Sequence, residues 1–146
     1  MKKQTVSSIR QDTPLSTSGA RIRHARLQMN LSIRELAVRV GVTSQTISIA
    51  ERNVCPPKIG TVRKLAKVLK QPIWYVGCYE NMSENTLGEK IKKARHYHGL
   101  TKVEAGIRLG VNSKTILQWE SDIHKPKRLG LILENFIKIL GHKNNS

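Results

Sequence analysis

Shifted by 69 residues, so that Gly19 meets Gly88, the chain overlays itself without a gap as far as a proline. Ile22 meets Ile91, Ala25 meets Ala94, Arg26 meets Arg95 and Leu31 meets Leu100. Glu35 meets Glu104, Arg39 meets Arg108, and Gly41-Val42 meets Gly110-Val111. Thr46-Ile47 meets Thr115-Ile116, Glu51 meets Glu120 and Pro57 meets Pro126. Past the prolines the second copy needs two extra residues, after which Val62, Leu65, Val68 and Leu69 meet Leu133, Phe136, Ile139 and Leu140. Matches at glycines, prolines and apolar positions together indicate a duplicated domain; the period is too long, and the copies too few, for a solenoid. Each copy has roughly 60 residues, near the lower size at which one core holds a fold.

The copies divide the 146 residues into domains at 17–78 and 86–142. Residues 1–16, polar and rich in Ser, Thr and Gln, are expected to form a flexible arm. Residues 79–85 are read as a short polar linker and residues 143–146 as a frayed tail. The apolar spacing is helical throughout, with no alternating strand pattern. Helix one is expected over Ser18 to Met29, with Ile22, Ala25, Arg26 and Met29 on one face. Helix two opens with the same capping box in both copies, Ser32-Ile33-Arg34-Glu35 and Thr101-Lys102-Val103-Glu104. Thr86-Leu87-Gly88-Glu89 reads as a third box. Helix two stops at Gly41 and Gly110, where glycine takes positive φ without a Cβ clash.

Helix three starts after Thr43 and Asn112, carries Ile47 and Ile116 inward, and then Ala50 and Trp119 one turn later. Val62, Leu65, Ala66 and Leu69 mark helix four. Pro72 opens a fifth, shorter helix over Ile73 to Val76. The chain is therefore expected to be all-α, with two small five-helix domains.

Lys and Arg total 26 against 10 Asp and Glu, a formal charge of +16, which calls for an anionic partner. Aromatic residues make up only 4%, too few for the stacking platforms of single-strand readers, so duplex DNA is favoured over RNA. Cys55 and Cys78 form no CxxC and are read as free thiols in a reducing cytoplasm. Met1-Lys2-Lys3 is not followed by an apolar core, and no apolar run approaches a membrane span, so neither a signal peptide nor a membrane location is expected. The five histidines are scattered, and no nucleophile constellation, HExxH or P-loop occurs, so neither an enzyme nor a bound metal or cofactor is expected.

Helix two, turn and helix three form one unit in each copy. A small residue, Ala37 or Gly106, sits mid-helix two, and Gly41 or Gly110 follows four positions on. Two helices crossing steeply through a short turn need a small side chain at the contact and a permissive residue in the turn. The outer face of helix three is then free to enter a major groove. At these residues the sequence resembles the phage-repressor and Cro family, the xenobiotic response element family of helix-turn-helix regulators. The resemblance rests on Gly41-Val42 and Gly110-Val111, Thr46-Ile47 and Thr115-Ile116, Glu51, and Trp119-Glu120, and it covers both copies. It implies two lambda-repressor-like domains that bind double-stranded DNA, a transcriptional regulator acting as a repressor, and location in the cytoplasm with the nucleoid. It further implies a buried ion pair in each copy, Arg26 with Glu51 and Arg95 with Glu120.

Base contacts are expected from Ser44, Gln45, Ser48 and Ile49 in the first copy and from Ser113, Lys114, Leu117 and Gln118 in the second. Gln45 suits adenine, Lys114 suits guanine, and Ile49 and Leu117 are restricted to a thymine methyl. Thr43, Thr46, Arg52 and Lys58, with Lys102, Asn112, Thr115 and Lys127, are expected at phosphates. Ile33 departs from the family, whose relatives often place a polar phosphate contact there; Lys102 retains one. Gly106 is expected to cost roughly 1 kcal/mol of helix propensity relative to Ala. The unlike reading faces imply unlike half-sites. Two other readings remain open at this point: an antitoxin-like or bridging protein with one DNA-binding copy, and an accessory DNA-binding factor of a mobile element. A protein partner or a homodimer also stays open, and no effector-sensing domain or small-molecule effector is expected.

Overall fold

A computed structural model describes residues 14–127 and 130–142. Most of the expected arm and the whole of the expected tail lie outside these. The chain divides into two compact units, residues 1–78 and 79–146, and no strand occurs among the described residues. The first unit holds α1 (Ser18–Gln28), α2 (Ile33–Val40), α3 (Ser44–Glu51), α4 (Ile59–Leu69) and α5 (Ile73–Gly77). The second holds a 3-10 turn (Tyr79–Asn81), then α6 (Leu87–His98), α7 (Lys102–Leu109), α8 (Ser113–Glu120), α9 (Leu131–Ile137) and α10 (Ile139–His142).

Local chemistry accounts for most helix ends. Ser32 Oγ accepts from Glu35 N at 3.0 Å while Glu35 Oε1 accepts from Ser32 N at 3.1 Å. Thr101 and Glu104 repeat the arrangement at 3.2 and 2.9 Å. Orphan N–H groups at the starts of α2 and α7 are thereby satisfied. Gly41 (φ 85°) and Gly110 (φ 76°) end these helices in the left-handed region. The box expected at Thr86 is only half formed. Its Oγ1 accepts from Glu89 N, but the hydroxyl donates to Asp122 Oδ2 at 2.7 Å, a tie from across the unit.

That tie belongs to a latch that recurs in both units. Asn53 and Asp122, just past α3 and α8, both have φ 57°. Asn53 Oδ1 accepts from Gly19 N at 2.9 Å, and Asp122 Oδ1 accepts from Gly88 N at 3.0 Å. The glycine is required by contact: a Cβ on Gly19 would lie 2.5 Å from the carbonyl oxygens of Ala50 and Glu51. Gly88 meets the Trp119 carbonyl in the same way. The start of helix one is thus pressed on the end of helix three. Trp119 is only half-buried, in contrast to the inward position expected for it, while Ala50 is buried.

Ile22, Leu36, Ile47 and Leu65 are fully buried in the first unit, and Ile91 and Ile116 in the second, with Leu133 and Phe136 taking the Val62 and Leu65 positions. The five-helix expectation needs correction for the second unit. Ile139 and Leu140 align with Val68 and Leu69, so α10 is the last turn of a broken helix four, and the described residues contain no counterpart of α5. The docking chemistry of α5 is likewise particular to the first unit. Ser18 Oγ donates to Val76 O at 2.6 Å, Arg21 Nη1 donates to Tyr75 O at 2.9 Å, and the Arg21 guanidinium lies over the Tyr75 ring. Leu87 and Lys90 occupy these positions in the second copy.

The expected linker is not a plain connector. Its 3-10 turn packs on α6, with Tyr79 edge-on to His96. The buried Lys93 donates to Glu80 O at 3.2 Å and pairs with Glu84 at 3.4 Å. Gly106 is also more than a propensity defect. A Cβ there would lie 2.5 Å from the Val111 carbonyl oxygen, so the turn in the second unit closes more tightly than the Ala37 position of the first requires.

His98 joins three elements of the second unit. Its ring stacks on Phe136 with centroids 4.4 Å apart, its Nε2 lies 2.9 Å from Phe136 O, and its Nδ1 lies 3.4 Å from Arg108 Nη1. A carbonyl only accepts and a guanidinium only donates, so the proton is assigned to Nε2 and the ring is neutral. Burial lowers the His98 pKa below its ordinary 6.5, and the Arg108 charge lowers it further against the opposing Phe136 carbonyl bond. Burial lowers His96 as well. Above the unfolded value near 6.5 both states are neutral and stability is complete. As pH falls through that value the unfolded chain takes up protons that the folded unit resists, so stability is lost toward the lower folded values. The urea midpoint of the second unit is therefore expected to fall between pH 7 and 5. It can be followed by Trp119 fluorescence in a Trp74→Phe background, and His98→Met should flatten the fall. An equal slope in His98→Met would show that the ring is not the sensor.

Candidate nucleic-acid interface

The pairs α2–α3 and α7–α8 are the most closely packed neighbours in their units. Each turn is tied by a residue-42-type bond: Val42 N donates to Ala37 O at 3.0 Å, and Val111 N donates to Gly106 O at 2.8 Å. Behind α3, Arg26 Nε and Nη2 donate to Glu51 Oε2 and Oε1 at 2.7 and 2.9 Å, and Arg26 Nη1 donates to Leu31 O at 2.9 Å. Arg95 makes the same three bonds, to Glu120 Oε2 and Oε1 at 2.6 and 3.1 Å and to Leu100 O at 2.9 Å. All four side chains are almost wholly buried. A forked, charge-assisted contact therefore fixes the C-terminal end of each helix three to helix one and to the connection into helix two.

With one face of α3 and α8 held this way, the opposite face is outward. Ser44, Gln45, Lys114 and Leu117 are exposed, whereas Ser48, Ile49, Ser113 and Gln118 are half-buried. The first turns of both helices are capped from within. Thr43 Oγ1 accepts from Thr46 N at 3.1 Å and shares a hydrogen bond with the Thr46 hydroxyl. Asn112 Oδ1 accepts from both Thr115 N and Thr115 Oγ1, at 2.8 and 2.9 Å. Their oxygens are therefore committed to the helix, and what Asn112 has left to offer is its amide Nδ2 donor. Arg52 spends only Nε, on Ser48 O at 3.3 Å. Lys58 and Lys127 are exposed beyond the ends of α3 and α8. Lys102 and Ile33 both lie half-buried at the first position of their helices.

Sequence reasoning places the end of helix three near Asn53 and Asp122 but did not find their bonds to Gly19 and Gly88, although two short side chains 69 residues apart that can accept a hydrogen bond were a usable signal. It also missed how unevenly charge is shared. Residues 1–78 carry 14 Lys and Arg against 3 acidic residues, and residues 79–146 carry 12 against 7.

Residues 22–73 match the family described as Helix-turn-helix (HTH_3). They form a helix-turn-helix domain. The matched range contains α2 and α3 and the short turn that joins them. The chain is 39% identical over 69 residues to RghRB of Bacillus subtilis (strain 168), which is described as an uncharacterized HTH-type transcriptional regulator. The match takes in 47% of this chain and 45% of that relative, so the chain spans less than half the length of the relative it resembles. No solved structure matches the chain. No helix among the described residues is long and apolar enough to cross a membrane.

Proposed function

We propose that the protein is a sequence-specific double-stranded-DNA-binding transcriptional regulator, a repressor by occupancy, with α3 and α8 each reading a major groove. One observation carries this reading. Two equivalent helices, each locked from behind by an Arg–Glu fork, turn unlike polar faces outward on a chain of charge +16. A rigid helix presents its side chains to base edges without losing orientational freedom on binding. The helix-turn-helix match supports the reading for the first unit, and the likeness to RghRB, an HTH-type transcriptional regulator, supports it for the chain. The role of the second rests on its likeness to the first.

Gln45 and Lys114 are assigned to base edges, with Ser44, Ser48 and Ile49 beside the first and Ser113, Leu117 and Gln118 beside the second. Arg52, Lys58, Thr43 and Thr46 are assigned to phosphates, as are Lys102, Lys127 and Asn112 through its Nδ2; Thr115, whose N–H and hydroxyl are both spent on Asn112 Oδ1, has no donor left for one. Selection of bound duplexes from a random pool at physiological salt is expected to enrich one site with two unlike half-motifs. Lys114→Ala should relax only the second half-motif, at about 1–3 kcal/mol. Lys58→Ala should weaken all sequences alike and reduce the salt slope by about one. Binding that fades with salt and enriches nothing would refute sequence-specific reading.

A second reading has its own observation. The second unit exposes Val103 and Ile107, four residues apart on α7 and outside the residues assigned to DNA. This apolar pair favours a bridging protein whose first unit holds DNA and whose second holds a protein. Enrichment of a single half-motif is the outcome that supports it.

A further inference from the structure

On the first unit, an open groove of about 480 Å³ runs between the end of α1, α2 and α4. Its rim carries four cations, Arg39, Lys64, Lys67 and Lys70. Its floor is apolar, made by Met29, Val40 and Val68. No residue of α3 lines it, so it is separate from the reading face.

Among the described residues of the unit, the rim's four cations outnumber the carboxylates. Residues 14–78 contain only two carboxylates. Glu35 closes the capping box of α2, and Glu51 is locked to Arg26. The described residues therefore leave this rim with an excess of positive charge that an acidic partner would balance. The second copy shows that the rim is not a requirement of the fold. There Asn135 stands for Lys64 and Gly141 for Lys70, and the corresponding hollow, about 220 Å³, is lined by Phe136, Ile132 and Leu109 with Arg108 as its cation.

We propose that this groove is a docking site for an acidic amphipathic helix of a partner protein. Carboxylates along two edges of such a helix would meet the four cations, and an apolar side chain between them would settle on Met29, Val40 and Val68. A phosphodiester backbone would satisfy the rim but would leave the floor with nothing apolar to cover it. The pairing of floor and rim therefore selects a peptide over a nucleic acid. A second protein docked here would leave α3 uncovered. The proposal does not depend on the DNA reading.

The test uses the full chain and two fluorescent helical peptides of about four turns. Both carry the same number of glutamates; one has leucines along one face, and the other has serines there. The Glu/Leu peptide is expected to bind about tenfold more tightly than the Glu/Ser peptide. Lys64→Gln with Lys67→Gln should weaken it by about tenfold, whereas Lys138→Gln, the counterpart of Lys67 in the second unit, should change it less than about twofold. All three positions are solvent-exposed, and unchanged circular dichroism would confirm that the variants fold. Equal binding of the two peptides, or indifference to the double substitution, would overturn the proposal. So would a loss of random-sequence duplex binding as large as the loss of peptide binding, which would make the groove a phosphate surface.

Discussion

Glu51→Ala unfolds the first unit and leaves the second folded. The Arg26–Glu51 fork lies almost wholly out of water, and Arg26 also holds the Leu31 carbonyl. Removing the carboxylate strands a guanidinium in the core, at about 3–5 kcal/mol. A unit of this size has roughly 3–9 kcal/mol of stability in all. Hydrogen exchange of the full chain, read peptide by peptide, should show α1 to α4 exchanging freely while α6 to α8 keep their protection. The pair's worth against an apolar substitute is a separate quantity. Arg26→Met with Glu51→Leu removes both charges together and should retain a folded unit. Protection of α1 and α3 in Glu51→Ala equal to that of the parent would show that the charge is not sealed in.

Phe136→Ala is expected to unfold the second unit. Phe136 is 3% exposed, stacks on His98, and lies under the Arg108 guanidinium at 5.9 Å. The second unit has no counterpart of α5 among the described residues, and its helix four is broken at Lys138. Truncating a buried aromatic costs about 3–5 kcal/mol, and the short α9 has little else to hold it. Phe136→Leu installs the residue the first unit uses at this position, Leu65, and should cost less than about 1.5 kcal/mol. Thermal unfolding followed by Trp119 fluorescence, with Trp74 replaced by Phe, isolates the relevant transition. A melting curve for Phe136→Ala that overlies the Phe136→Leu curve would show that the ring is not a central support.

The limits of legibility follow from the range over which each feature is determined. Capping boxes at Ser32 and Thr101, and left-handed ends at Gly41 and Gly110, depend on bonds between residues three to five apart. Duplication made these local signals easier to read, because each had to appear twice. Arg26 and Arg95 declared themselves as charges on an apolar face, and the family resemblance supplied their partners. Thr86 shows where local reasoning stops: its box has the right residues, yet the hydroxyl is drawn to Asp122, 36 positions away.

What the sequence by itself determined is the helical architecture, the repeat, and the two α–turn–α units with the outward face of each second helix. Helical periodicity and i to i+4 bonding are properties of neighbouring residues, and they remain the same wherever the helix is placed. The tertiary structure alone decided the rest: that Gly88 is pressed on the Trp119 carbonyl, that α10 completes helix four instead of forming a fifth helix, that His98 is held neutral between Phe136 and Arg108, and that Arg39 and the α4 lysines ring one groove. These depend on how closely segments tens of residues apart approach one another, and that distance is set by close packing of whole side chains, which periodicity does not encode.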